Sequence, residues 1–205
     1  MDSKAEMTIG LALQEKPDRK RHLLQQLEKH IEKFEIHENK LNTNPFLGCL
    51  DSHILAIKNA MRNGYRSVMI CEDDIVILDH YHALHLPDTW DMLYFGGILT
   101  QVYDSATNGW VQGDIWCAHA YIVKSHLFGT IIDIYESLDR DVMAQESRTI
   151  DWLYTKFIHP KFLCYLDESQ SIIQKEGHSL LTNKNKWGEN WSWSTYEMKD
   201  LSSII

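Results

Sequence analysis

The stretch Ser67-Val68-Met69-Ile70-Cys71-Glu72-Asp73-Asp74-Ile75-Val76-Ile77-Leu78 decides the fold. Its first five residues are apolar without alternation, the pattern of a strand buried on both faces of a parallel sheet. Three adjacent carboxylates follow, and apolar residues resume at Ile75. In open α/β sheets, ligands bind beyond the carboxyl ends of the strands. The three charges repel one another, and the apolar flanks draw them toward the interior. A bound divalent cation relieves both problems. Hard oxygen ligands suit Mg²⁺ or Mn²⁺, which share coordination with substrate phosphates. A solvated acidic turn is the plainer alternative.

Working outward, strands and helices alternate. Met7 to Leu13 reads as a first buried strand. Pro17-Asp18 opens a helix in which Leu23, Leu24, Leu27, Ile31 and Phe34 recur at helical spacing. After an Asn/Pro loop at Asn42 to Gly48, a second helix is expected from about Cys49 to Arg62, with Leu50, Ile54, Ile57 and Met61 as its buried stripe and Gly64 as its cap. Asp91 to Phe95 and His119 to Val123 read as further strands, and Lys161 to Leu166 as a last one. Ser125 is placed to cap a helix carrying Leu127, Ile131, Ile134 and Leu138. Thr149 is placed to cap a short helix carrying Trp152, Leu153 and Phe157. Thr100 to Gly113 is polar and contains Gly109, so it reads as a loop that closes over a bound ligand. This alternation predicts an α/β fold, a mostly parallel sheet with helices on both faces. The length suits a single domain over 1–205, with a tryptophan-rich tail from about Trp187.

Composition narrows the partners. Hydrophobic residues make up 44% and charged residues 24% of the 205, the balance of a globular chain with ample core. A net charge of −9 and the lack of a long Lys/Arg block argue against nucleic acid. Cys49, Cys71, Cys117 and Cys164 are scattered, which argues against a zinc ribbon and for buried reduced thiols, with two disulfides as the alternative. The N-terminus has no apolar core of signal-peptide length, and no stretch approaches the ~18 apolar residues of a membrane span. The expected localisation is cytoplasmic.

The order and spacing of several short motifs carry a resemblance. Gly48-Cys49-Leu50-Asp51-Ser52-His53, then Ala56, Gly64 and Met69-Ile70-Cys71-Glu72-Asp73-Asp74, resemble glycosyltransferase family 25. This family includes lipooligosaccharide and collagen hydroxylysine galactosyltransferases. Leu11-Ala12-Leu13 with Asp18-Arg19, Trp90-Asp91-Met92-Leu93-Tyr94 and Ala120-Tyr121-Ile122-Val123 resemble further segments of it. The match runs from about Leu11 to Ser179. Ala12 stands where the family usually has Asn, a departure on the donor side.

The resemblance implies a GT-A-like, Rossmann-like fold. It also implies Mn²⁺ (or Mg²⁺), a nucleotide-sugar donor, and inverting transfer of galactose or glucose from UDP to a glycan or hydroxylysine-type acceptor. Asp74 and Glu72 would anchor the metal, with Asp73 binding through water or touching the ribose. His178 would add a late metal ligand, unless it is an ordinary surface histidine, and Gln174 and Ser179 match family positions. Asp151 would be the general base, or else a helix-start residue stabilised by the dipole; Glu146 is second choice. Ser52 and His53 lie on the helix after the loop, where His53 either contacts donor or acceptor or packs in the core. Arg19 reaches the nucleotide or pairs with an acid, and Asp18 binds nearby or caps its helix. Tyr103, Trp110 and Trp116 offer faces for a sugar ring or for the core. The competing reading is a catalytically inactive sugar- or nucleotide-binding protein on the same fold.

Overall fold

A computed structural model describes residues 4–175, with the side chains of 105–107 excepted. His178, Ser179 and the segment from Trp187 lie outside the described residues.

The chain order is β1 (Met7–Leu13), α1 (Pro17–His30), β2 (Phe34–Asn39), α2 (Pro45–Arg62), β3 (Ser67–Cys71), β4 (Ile75–Ile77), β5 (Met92–Tyr94), β6 (Ile98–Thr107), β7 (Trp110–Trp116), β8 (Ala120–Lys124), α3 (Phe128–Ser137), α4 (Arg140–Gln145), α5 (Ile150–Leu153), β9 (Cys164–Asp167) and β10 (Ile172–Gln174). Eight strands form one sheet in the order β2-β1-β3-β8-β5-β9-β7-β6, and β10 pairs with β4 in a separate ribbon. Strands β2, β1, β3, β5, β9 and β6 point one way; β8 and β7 run against them. The expected α/β architecture with a mostly parallel sheet is therefore present.

β3 shows why its sequence lacks alternation. Val68 and Ile70 join one core, with Leu50, Ile54 and Ile57 of α2 and Ile131 of α3. Met69 and Cys71 point into a second core, with Leu23 and Leu27 of α1. A strand covered by helices on both faces is apolar at every position.

Three local expectations are corrected, besides the start of α2, which lies at Pro45 and not near Cys49, and Met61 on that helix, which is exposed and not part of its buried stripe. The first helix ends at His30, with Ile31 already extended (φ −121°, ψ 129°). Phe34 belongs to β2, paired with β1. Ile31, Phe34 and Ile36 all pack against the core that α1 covers, so helical spacing ran past the helix by coincidence. Ser125 does not cap a helix with its side chain; it opens a 3₁₀ turn, and its N–H donates to the Arg66 carbonyl. The third correction concerns Thr100 to Gly113, which is a β-hairpin and not a loop. Asn108 (φ 54°) and Gly109 (φ 82°) form the two-residue turn that right-twisted strands favour. β6 is an edge strand with Gln101, Val102, Tyr103 and Asp104 exposed, so its polarity records lack of burial. Among the described residues no helix is long and apolar enough to cross a membrane.

Candidate active site

The acidic cluster leaves the carboxyl end of β3, beside the carboxyl end of β1 and the start of β8. The Glu72 N–H donates to the His119 carbonyl (2.8 Å), which pins the turn to the strand that follows. The chain re-enters the structure as β4, whose partner β10 brings Gln174 and Lys175 alongside. Lys175 N donates to the Asp74 carbonyl at 2.6 Å.

Arg19, in the first turn of α1, answers the cluster. Its Nη2 lies 2.6 Å from Asp73 Oδ1 and 2.6 Å from Asp74 Oδ2. Of the two roles read from sequence, pairing with acids is the one the geometry shows. Three carboxylates (−3) and one guanidinium (+1) leave −2, which suits one divalent cation. The ionisation equilibria carry the same message. Burial, opposed by Arg19 and reinforced by Asp74 and Glu72, pushes Asp73 up to about 6. Burial and then the Glu72 charge raise Asp74. Burial also pushes Glu72 upward, but the His53 hydrogen bond and the fields of His53, His119 and Arg19 outweigh it and hold its pKa low.

The outer oxygens show where a cation fits. Glu72 Oε2 and Asp74 Oδ1 converge on one amide nitrogen, Gln174 Nε2, at 3.4 and 3.5 Å. Both contacts are longer than the usual N–H···O bond. Two carboxylate oxygens aimed at one point and held, among the described residues, by a single neutral donor make a hard-oxygen donor set, and these residues fit Mg²⁺ or Mn²⁺.

Behind the cluster runs a chain of buried hydrogen bonds. His53 Nε2 faces Glu72 Oε1 at 3.3 Å, and His53 Nδ1 lies 3.0 Å from the Tyr121 hydroxyl. The Tyr121 hydroxyl meets that of Tyr154 at 2.8 Å. His53 is thus a core histidine and a neighbour of the cluster at once. Ser52 Oγ donates to the Cys49 carbonyl within its own helix (2.8 Å). Asp18 is exposed and pairs with Arg21 (3.0 Å), while the Lys16 position that caps α1 has no side-chain bond.

Asp151 lies in the first turn of α5. Its Oδ1 accepts from Ala118 N–H (2.7 Å) and its Oδ2 from Thr149 Oγ1 (3.3 Å). Burial, then the Glu72 charge, raises its pKa. Ala118 precedes His119, whose carbonyl accepts from the Glu72 N–H, so Asp151 and the acid cluster are bonded to adjacent residues. Glu146 pairs with Arg148 at the surface. Trp110 is core and donates to the His85 carbonyl (2.8 Å), whereas Tyr103 and Trp116 are exposed. Sequence reasoning missed His119. Its Nε2 donates to the Ile172 carbonyl (2.9 Å), while its Nδ1 is buried without a partner among the described residues. No motif flagged it, because it acts through tertiary neighbours.

No protein-family model and no curated protein matches the chain, so the family 25 resemblance stands on the quoted motifs. Among solved structures the chain is similar to a glycosyltransferase involved in the glycosylation of the major capsid of PBCV-1, at 10% identity over 84% of this chain and 94% of that one (TM-score 0.55). That likeness shows a shared GT-A-like fold. Two further neighbours are a nucleoside-diphosphate-sugar pyrophosphorylase from Vibrio cholerae (14% identity, 82% and 75% covered, TM-score 0.47) and a Drosophila β1,4-galactosyltransferase 7 in complex with manganese, UDP-Gal and xylobiose (10% identity, 83% and 71% covered, TM-score 0.43).

Proposed function

We propose that the chain is a metal-dependent inverting glycosyltransferase, moving galactose or glucose from a UDP-linked donor to an acceptor hydroxyl on a glycan or a hydroxylysine-type side chain. The observation that carries this reading is the convergence of Glu72 Oε2 and Asp74 Oδ1 at the carboxyl end of β3. The fold shared with a glycosyltransferase supports it.

Glu72 and Asp74 would hold the Mn²⁺ or Mg²⁺. When bound, the cation supplies the positive charge that stabilises a departing diphosphate. Arg19, now paired with Asp73 and Asp74, is a further cation available to the nucleotide once the acids have another partner. Asp151 takes the proton from the acceptor hydroxyl as the acceptor oxygen bonds to the anomeric carbon. The bond from that carbon to the donor phosphate breaks on the opposite face, and the nucleoside diphosphate leaves. The pKa of Asp151, raised by burial and Glu72, makes it a stronger base than an exposed carboxylate.

The test is hydrolysis and transfer with a panel of nucleotide sugars, with Mn²⁺ and with EDTA. Turnover of a UDP-hexose that EDTA stops and Mn²⁺ restores is the expected result. Turnover indifferent to EDTA would overturn the metal role, and no turnover of any nucleotide sugar would overturn the transferase.

A further inference from the structure

We propose that Cys49, His53 and Glu72 form a second cation site, one for a borderline-soft divalent metal of the zinc class. Cys49 and His53 stand four residues apart on α2, so their side chains share a helix face. Glu72 meets them from the end of β3. One ligand atom from each lies within 4.8 Å of the others. Zinc bonds of about 2.0–2.3 Å in a tetrahedron put neighbouring donors roughly 3.3–3.8 Å apart. His53 Nε2 and Glu72 Oε1 are already 3.3 Å apart. Metal binding therefore asks for a small approach of the Cys49 thiolate.

The donors separate this site from the one at Glu72 and Asp74. A thiolate and an imidazole select zinc-class ions, whereas carboxylates select magnesium and manganese. The surroundings also supply what a metal-bound histidine needs, a partner for its other nitrogen. With Nε2 on the metal, Nδ1 carries the proton and donates to Tyr121 Oη, and Tyr121 donates to Tyr154 Oη. Burial, with Glu72 and Asp151, holds the Cys49 thiol protonated when no metal is bound. Binding therefore expels the thiol proton to solvent, one per cation. Glu72 is common to both sites, facing His53 with Oε1 and Gln174 with Oε2.

The inference rests on these three side chains and not on the transfer reading. Co²⁺, the spectroscopic stand-in for Zn²⁺, is titrated into the full chain. The expected result is a saturable thiolate-to-cobalt charge-transfer band that Zn²⁺ displaces. It is lost in Cys49→Ser and His53→Gln and retained in Asp74→Asn, which touches the hard-cation site alone. Absence of the band in the native chain, or an undiminished band in Cys49→Ser, would overturn the proposal. Should Cys49→Ser not fold by circular dichroism, alkylation of the native chain decides. Zn²⁺ must then protect Cys49, and unchanged alkylation would overturn the site. If no nucleotide sugar is turned over while Cys49→Ser loses the cobalt band, the proposed function fails and this site stands.

Discussion

Asp74 and Asp151 carry the same functional group, and their neighbours assign them different work. Asp74 has one oxygen on Arg19 and the other converging with Glu72 on Gln174. Asp74→Ala is expected to abolish transfer and to remove the metal-dependent part of nucleotide binding, read by calorimetry with and without Mn²⁺. The fold should survive, because Asp73 retains Arg19 and one repelling charge has gone; full activity would show that the cluster holds no metal. Among the described residues Asp151 is held by Ala118 and Thr149 and by no cation. In Asp151→Asn the remaining oxygen still accepts from Ala118, so folding and donor affinity should persist. Turnover should fall by ~10²–10⁴, the usual worth of a general base. A loss within a few-fold would leave Asp151 a helix-start residue, and a parallel loss of donor affinity would move it to the donor site. These acids were legible in sequence because Glu72, Asp73 and Asp74 are contiguous at the end of an apolar run. His119 was not legible, since its relation to Ile172 exists in three dimensions alone.

At the scale of elements, the ends of β5 and β10 are packed backbone to backbone. A Cβ on Gly96 would sit 1.9 Å from the Ile172 carbonyl and 2.7 Å from His119 Nε2. Gly96→Ala should therefore push β10 outward and destabilise by ~1–3 kcal/mol or more. Weakened Mn²⁺ binding should accompany the loss in urea unfolding, because β10 carries Gln174. Unchanged stability and metal affinity would show that β10 does not brace the site. Gly109 has open space around its Cβ position, so its requirement is φ +82° alone. Gly109→Ala should then cost about 1–2 kcal/mol, the penalty for an L-residue in the left-handed region. The two-residue turn Asn108-Gly109 was the legible signal of the hairpin, and the polarity of its exposed edge strand masked it. β2 went unread because Phe34 also extended the helical spacing of α1. By contrast β3 and β8 were plain in sequence, since burial on both faces leaves an unmixed pattern, whereas α2 was read a turn short because its first residues, Pro45 to Gly48, also suit a loop.

At the scale of the whole molecule, stability should depend on one buried histidine. Ile115 N–H donates to His159 Nδ1 (3.2 Å), so that nitrogen carries no proton despite Asp114 at 3.7 Å. Nε2–H then donates to the Tyr94 hydroxyl (2.9 Å). Burial lowers the pKa of His159 from 6.5 to about 3. Between these values the unfolded chain binds a proton that the folded chain refuses. The contribution is therefore complete above pH 6.5 and is lost as pH falls toward 3, by at most about 1.4 kcal/mol per pH unit. Urea unfolding from pH 7 to 5 should show a shallower pH dependence in His159→Gln than in the native chain. Equal slopes would place the titration elsewhere.

The late arrival of β10 has a consequence for biosynthesis. Gln174 contacts Glu72 across 102 residues of sequence. At elongation rates of roughly 5–20 residues per second, the amide emerges about 5–20 s after the carboxylate it meets. Arg19 is already made when Glu72, Asp73 and Asp74 appear. A nascent chain can therefore pair Asp73 and Asp74 with Arg19 from the N-terminal side well before the strand that completes their surroundings leaves the ribosome.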